Sequence, residues 1–89
     1  MVKKKIVIKN KLGLHARAAV KFMNLANRFA SSVWIEKDGN EIDGKSILGI
    51  LTLAAVQGSE ITLRISGPDE DHALNALEAL IEDKFHEDE

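Results

Sequence analysis

The sequence contains no cysteine, only one proline, and few aromatic residues. Without cysteine the chain can form neither a disulfide nor a thiolate metal site, so a reducing compartment is favoured and we expect the cytoplasm. The absence of repeats and of biased tracts excludes a fibrous or low-complexity chain. No apolar run approaches the length of a membrane span, and the Lys-rich start differs from a signal peptide. Membrane insertion is therefore not expected.

The sequence also lacks a large excess of charge of either sign, since the formal net charge is −2. This balance gives no global reason to expect nucleic acid as a partner. The single tryptophan, Trp34, falls on the outward-facing side of its predicted strand, without a second aromatic on which bases would stack. We expect no nucleic acid, no metal and no cofactor. The length of 89 residues predicts one domain, spanning residues 1–89.

The spacing of apolar residues changes repeatedly between period two and a helical period. Alternation predicts strands over Val2–Lys9, Ser32–Lys37, Glu41–Ile42 and Glu60–Ser66, with a tight turn at Asp38–Asn40. Helical spacing predicts helices over Ala16–Phe29, Ser46–Ala55 and from Glu70 onward. The order βαββαβα predicts an α+β open-faced sandwich, a four-stranded, mainly antiparallel sheet with three helices on one face.

His15 lies where a loop meets the first predicted helix. The free backbone N–H groups of Ala16 and Arg17 would point toward a group carried by the imidazole, and a helix N-terminus suits an anion. Its partial positive charge, about half a unit, disfavours imidazolium and so favours the neutral ring that nucleophilic attack on a phosphoryl donor requires. The guanidinium of Arg17 would add to the stabilisation of a bound phosphoryl group. The pattern predicts reversible phosphorylation of His15.

The surface next to His15 has the character of a docking site for a protein. A basic stripe of residues at helical spacing along the first helix favours an acidic partner; its members are Arg17, Lys21, Asn24 and Arg28. The second helix has more apolar residues than one core face accepts. If Ile50, Leu53 and Ala54 enter the core, the others stay exposed. The docking residues predicted in this way are Val20, Lys21, Asn24, Asn27, Ile47, Leu48 and Leu51.

Two segments, Asn10–Arg17 (NKLGLHAR) and Asp43–Gly49 (DGKSILG), resemble the histidine-containing phosphocarrier family of the bacterial phosphotransferase system, usually called HPr. The resemblance covers essentially the whole chain. It implies phosphorylation of His15 on Nδ1 by enzyme I, with phosphoenolpyruvate as the ultimate donor and a IIA protein as acceptor. It implies that Arg17 contacts the phosphate and that the chain is not a stand-alone enzyme. A carrier that presents one face to successive partners is expected to be a monomer.

Ser46 has two interpretations that the sequence leaves open. Its hydroxyl is expected to cap the second helix. The resemblance also makes it a regulatory phosphosite, as in Gram-positive relatives, with a serine kinase/phosphorylase and a transcriptional regulator as partners. Phosphate there would place negative charge beside the docking surface and repel an acidic partner.

Two features depart from the common pattern of the family. Ala18 stands where the family commonly has proline, and because alanine is a good helix former, activity should survive. The acidic tail Phe85–Glu89 resembles nitrogen-branch relatives, so a nitrogen-branch carrier is an alternative. A second alternative is a regulatory interaction module acting through the Ser46 surface, but relatives of that kind lack the histidine.

Overall fold

A computed structural model describes residues 1–87 of the chain. It contains the predicted order of elements, followed by a short 3₁₀ turn. The elements are β1 (Val2–Val7), α1 (Ala16–Ala26), β2 (Ser32–Lys37), β3 (Asn40–Asp43), α2 (Ile47–Thr52), β4 (Glu60–Ser66), α3 (Glu70–Glu82) and the 3₁₀ turn Lys84–His86. The sheet order is β1-β4-β2-β3, and each of the three pairings is antiparallel. The predicted α+β open-faced sandwich with three helices is confirmed.

The core lies between one face of the sheet and the helices. Alternate residues of β4 supply the inner row, and the register pairs Ile61 with Ile6 of β1 and Ile65 with Val33 of β2. The helices close the core with side chains at helical spacing. Those of α1 are Ala18, Ala19, Phe22 and Ala26, and those of α3 are Ala73, Leu77, Leu80 and Ile81.

The outer face of the sheet is polar, as the Lys-rich side of β1 predicts. Trp34 covers part of it, and the Arg64 guanidinium lies 5.5 Å from the centroid of its ring. The same guanidinium donates two hydrogen bonds to the Glu41 carboxylate, at 2.9 and 2.7 Å. Those bonds hold the pKa of Glu41 below its usual value. Trp34 therefore covers the sheet, as expected.

Three predicted helix and strand limits were too long. Helix α1 ends at Ala26 instead of Phe29, because the next N–H groups bond in tighter, three-residue steps, Arg28 to Leu25 and Phe29 to Ala26. Strand β1 ends at Val7 instead of Lys9, although Ile8 still exchanges backbone hydrogen bonds with the loop before β4.

The second helix gives the third difference and a wrong core assignment. Helix α2 covers Ile47–Thr52 and not Ser46–Ala55. Ala54, expected in the core, is exposed with a left-handed φ of 51°, and Ala55 is buried in its place. The physical reason is that the left-handed residue turns the chain so that the Ala55 carbonyl reaches the N–H of Leu14, 2.8 Å away.

The acidic tail Phe85–Glu89 is described only as far as Glu87, and residues 88–89 lie outside the described residues. It begins in the core, since the Phe85 side chain is fully buried, whereas His86 is exposed. Left-handed backbone at Lys84, Phe85 and His86, with φ of 55°, 56° and 62°, folds the segment back after α3. The Phe85 carbonyl accepts from Lys21 of α1, and Glu87, directly after the turn, reaches His15.

Asp69 ties the start of α3 to the segment between α1 and β2. Its carboxylate accepts hydrogen bonds from the Ser31 hydroxyl, at 2.5 Å, and from the N–H groups of Ala30 and Ser31, at 2.9 and 3.0 Å. The Ser31 hydroxyl first, and then these backbone groups, hold the pKa of Asp69 below its usual 3.8. A carboxyl with a lowered folded pKa stabilises the fold above its unfolded pKa, and this stability is lost as the pH falls through the folded pKa.

We therefore expect Asp69→Asn to lower the urea midpoint of unfolding near neutral pH, because the amide presents a donor where the carboxylate accepts. The difference in urea midpoint between parent and variant should narrow as the pH falls from 3.8 through the lowered folded pKa of Asp69, because the folded parent then also loses the charge. Urea titrations at several pH values measure this. Glu78→Gln, which removes a partly exposed carboxylate paired with Lys4, is the control. A pH-independent gap would contradict the assignment.

Candidate functional site

The loop before α1 is held against the segment that follows α2. Gly13 has a φ of 68°, and a Cβ added there would lie 2.3 Å from the Ala55 carbonyl oxygen. Glycine is thus required both by the left-handed backbone and by the close approach. Asn10 is fully buried and donates through Nδ2 to the Gly13 carbonyl at 2.8 Å. These contacts fix the direction in which the chain enters α1.

His15 is the N-cap residue of α1, with extended backbone at φ −78° and ψ 179°. Its carbonyl accepts from the N–H of Ala19 at 2.8 Å, but its side chain makes no capping hydrogen bond. The N–H groups of Ala16 and Arg17, in the first turn, have no intrahelical acceptor. The imidazole is 24% exposed. The structure therefore places an accessible imidazole beside an open helix N-terminus.

The two ring nitrogens of His15 have different surroundings. Nε2 lies 2.7 Å from Oε2 of Glu87. Among residues 1–87 no hydrogen bond reaches Nδ1. When Nε2 carries the proton and donates to the carboxylate, Nδ1 keeps its lone pair free, as a nucleophile requires.

Glu87 joins three residues of this site. Its Oε1 accepts from Asn10 Nδ2 at 2.8 Å, and its Oε2 lies 3.7 Å from Arg17 Nε. Burial opposes ionisation, but hydrogen bonds from Asn10 and His15, with attraction to His15 and Arg17, hold the pKa of Glu87 below its usual value. Sequence analysis missed Glu87, because 72 residues separate it from His15 and only the acidity of the tail marked it.

Arg17 lies on the open side of the site. Its side chain is 71% exposed, and its one ion pair among residues 1–87 is the long contact with Glu87. The guanidinium is thus free to approach a group on Nδ1. Neither a cluster of metal ligands nor a helix long and apolar enough to cross a membrane occurs within this part of the chain.

The predicted docking residues fall on two neighbouring helices. Leu48 and Leu51 of α2 are 73% and 38% exposed, and Val20 of α1 is 41% exposed. Ile47 is half-buried, and Asn24 and Asn27 are exposed. Leu12 and Val56, at 59% and 64% exposed, are apolar residues of the two loops that meet at Gly13, and they were not predicted because loop residues show no periodicity.

Lys21 differs from the rest of the expected basic stripe. Its side chain is half-buried, and Nζ donates to the Phe85 carbonyl at 2.6 Å. Lys21 therefore helps to hold the C-terminal turn against α1, in addition to any contact it makes with a partner.

Ser46 is the N-cap of α2. Its hydroxyl accepts from the N–H of Gly49 at 3.2 Å, and its backbone is extended at φ −110° and ψ 117°. The expected cap is thus present. The half-buried hydroxyl lies at the start of the helix that carries Leu48 and Leu51.

The fold and the site together define a small α+β protein with a partly exposed histidine at the N-terminus of its first helix. A family model described as "PTS HPr component phosphorylation site" matches residues 2–83. Phosphocarrier protein HPr of Cupriavidus necator is 48% identical over 89 residues, and the match covers 100% of both chains. The chain therefore belongs to the HPr family, the phosphocarrier proteins of the phosphotransferase system.

Solved structures support the same family assignment. The crystal structure of HPr-C-His from Thermoanaerobacter tengcongensis is 46% identical, with a TM-score of 0.97, and the match covers 100% of both chains. The crystal structure of Bacillus subtilis Crh, described as a catabolite repression protein and a swapped dimer, is 44% identical, with a TM-score of 0.76. That match covers 94% of this chain and 97% of Crh. Proteins of the HPr family are phosphocarriers and not stand-alone enzymes.

Proposed function

We propose that this chain accepts a phosphoryl group on Nδ1 of His15 from phosphorylated enzyme I and donates it to IIA proteins. The observation that carries the proposal is the asymmetry of the His15 ring. Nε2 contacts Glu87 at 2.7 Å, whereas Nδ1 has no hydrogen-bond partner in residues 1–87, and the residue that carries both nitrogens is the N-cap of α1. A nucleophile for phosphoryl transfer needs this combination.

The transfer requires no proton movement at the attacking atom. The Nδ1 lone pair forms a bond to phosphorus, and the bond from phosphorus to the donor breaks, its electron pair leaving with the donor. The N–H groups of Ala16 and Arg17 and the Arg17 guanidinium stabilise the phosphoryl oxygens. The helix dipole contributes about 1 kcal/mol. This modest stabilisation suits a carrier, because a tightly held group would not be passed on.

The exposed apolar residues of α1 and α2 form the docking surface for both proteins. Val20, Leu48 and Leu51 supply its apolar centre, while Arg17 and Arg28 supply positive charge. Such a centre with a charged rim is typical of transient interfaces, and an acidic partner complements it. Because both partners use the same surface, we propose that the carrier acts as a monomer.

Incubation with enzyme I and radiolabelled phosphoenolpyruvate tests the proposal. We expect a labelled protein whose phosphoryl bond is labile in acid and stable in base, and whose label passes to an added IIA protein. An acid-stable label would indicate a phosphoester and contradict the assignment to histidine. Omission of enzyme I is the control and should give no label.

We further propose that Ser46 is a regulatory phosphosite for a serine kinase/phosphorylase and that its phosphorylated form binds a transcriptional regulator. The likeness to Crh, a protein described by its role in catabolite repression, supports such a role. Ser46 begins the helix that carries Leu48 and Leu51. A phosphate at this N-cap would be favoured by the helix and would repel an acidic partner at the docking surface.

Two substitutions separate the capping and regulatory roles of Ser46. Ser46→Ala should destabilise the fold by about 1 kcal/mol, because the Gly49 N–H loses its acceptor, while leaving phosphoryl acceptance nearly unchanged. Ser46→Asp should keep the cap and the stability but slow acceptance from enzyme I. Urea denaturation and labelling rates measure the two effects. Parental acceptance by Ser46→Asp would exclude charge repulsion as the regulatory mechanism.

A further inference from the structure

Within residues 1–87, Glu87 is the hydrogen-bond partner of the His15 ring, and the proposed transfer assigns it no step of its own. Its side chain is 13% exposed, and its two oxygens are committed to different donors, Oε2 to His15 Nε2 and Oε1 to Asn10 Nδ2. A carboxylate so close to a nucleophilic histidine either assists the reaction or competes with the incoming phosphoryl group. The geometry distinguishes these two roles.

The carboxylate lies on the side of the ring away from the reacting atom. It faces Nε2, whereas phosphorylation occurs at Nδ1, and the in-plane directions of the two nitrogens diverge. Glu87 therefore does not occupy the path by which phosphorus reaches Nδ1. It contacts the nitrogen that carries the proton and the developing positive charge.

We propose that Glu87 is a positioning residue for phosphoryl transfer at His15, which extends the proposed function and depends on it. Its carboxylate accepts the Nε2 proton in a hydrogen bond, so the ring has one tautomer and one orientation, with Nδ1 unprotonated. As Nδ1 forms its bond to phosphorus, the ring gains positive charge, and the carboxylate stabilises that charge without taking the proton. On donation the charge disappears and the contact returns to its initial state.

The surrounding structure holds Glu87 in this role. The buried Asn10 amide donates to both Gly13 and Glu87, so it connects the loop before His15 to the C-terminal segment. Phe85, two residues before Glu87, is fully buried, and its carbonyl accepts from Lys21 of α1. The carboxylate is thus anchored by one amide and by a turn packed in the core, as an orienting group requires.

The test compares Glu87→Gln and Glu87→Ala with the parent by two measurements. The first is the single-turnover rate of phosphoryl acceptance from phosphorylated enzyme I. The second is the tautomer of His15, read from the ¹⁵N chemical shifts of its ring nitrogens. We expect Glu87→Ala to slow acceptance about tenfold, the lower end of the range known for carboxylates that orient metal-binding histidines. We also expect it to populate the tautomer protonated on Nδ1. Glu87→Gln should lie between alanine and the parent.

Control variants and alternative outcomes keep this proposal separate from the proposed function. Glu78→Gln removes a carboxylate of α3 that pairs with Lys4 and should leave both measurements at parental values. All these variants should still form the acid-labile adduct at completion, whereas a protein without any adduct would refute the proposed function itself. Faster acceptance in the Glu87 variants would show competition, and an unchanged rate or an unchanged tautomer would also overturn the positioning role.

Discussion

His15→Ala abolishes the acid-labile adduct that enzyme I and phosphoenolpyruvate form on the parent, and this is the largest effect that we expect. Alanine removes the nucleophile, so the open helix N-terminus and Arg17 have no atom to which a phosphoryl group can bond. The fold should persist, because the imidazole makes no capping hydrogen bond and is not part of the hydrophobic core. Thermal unfolding followed by circular dichroism should confirm an intact domain alongside complete loss of label.

The chain provides matched controls for this variant. It has three histidines, and the other two, His72 and His86, are both exposed. His72→Ala and His86→Ala should accept label at the parental rate. Retention of acid-labile label in His15→Ala, or its loss in either control, would place the phosphoryl group elsewhere.

Phe85→Ala has the largest expected effect on stability. The side chain is fully buried, and truncation of a buried phenylalanine typically costs about 3–5 kcal/mol. This is a large share of the roughly 5–15 kcal/mol that stabilises a typical domain. Urea denaturation measures the loss. Because the turn also anchors Glu87, phosphoryl acceptance by the folded variant should slow to the level of Glu87→Ala.

His86→Ala is the neighbouring control for this effect as well. His86 lies in the same turn with its side chain 66% exposed and paired with Asp83. An exposed substitution of this kind usually changes stability by no more than about 0.5 kcal/mol. If Phe85→Ala were equally mild, the C-terminal turn would not be part of the folded core.

Sequence periodicity was sufficient to predict the fold because its helices and strands separate a buried apolar face from a polar one. Buried Ile61, Leu63 and Ile65 alternate with more polar residues along β4, so the strand and its inner face follow directly. The helix ends were less predictable. Ala54 is left-handed because of a contact between distant loops, and no local signal reports such a contact.

The candidate site also has a part that the sequence predicts and a part that it does not. His15, Arg17 and the N-terminus of α1 are neighbours in the chain, so their arrangement could be inferred from a loop followed by a helix. Glu87 joins them only because a left-handed turn and the burial of Phe85 return the chain to α1. A phenylalanine among charged residues was the sole indication that this segment packs on the domain. Periodicity describes local structure, so it cannot predict a contact between residues that are distant in the chain.

The central claim is that Nδ1 of His15 carries the phosphoryl group, and its most direct test is ¹⁵N and ³¹P NMR of the phosphorylated protein with ¹⁵N-labelled histidine. We predict a phosphorus coupling to Nδ1 of His15, with Nε2 still protonated. Coupling to Nε2, or to a ring nitrogen of His72 or His86, would contradict the account.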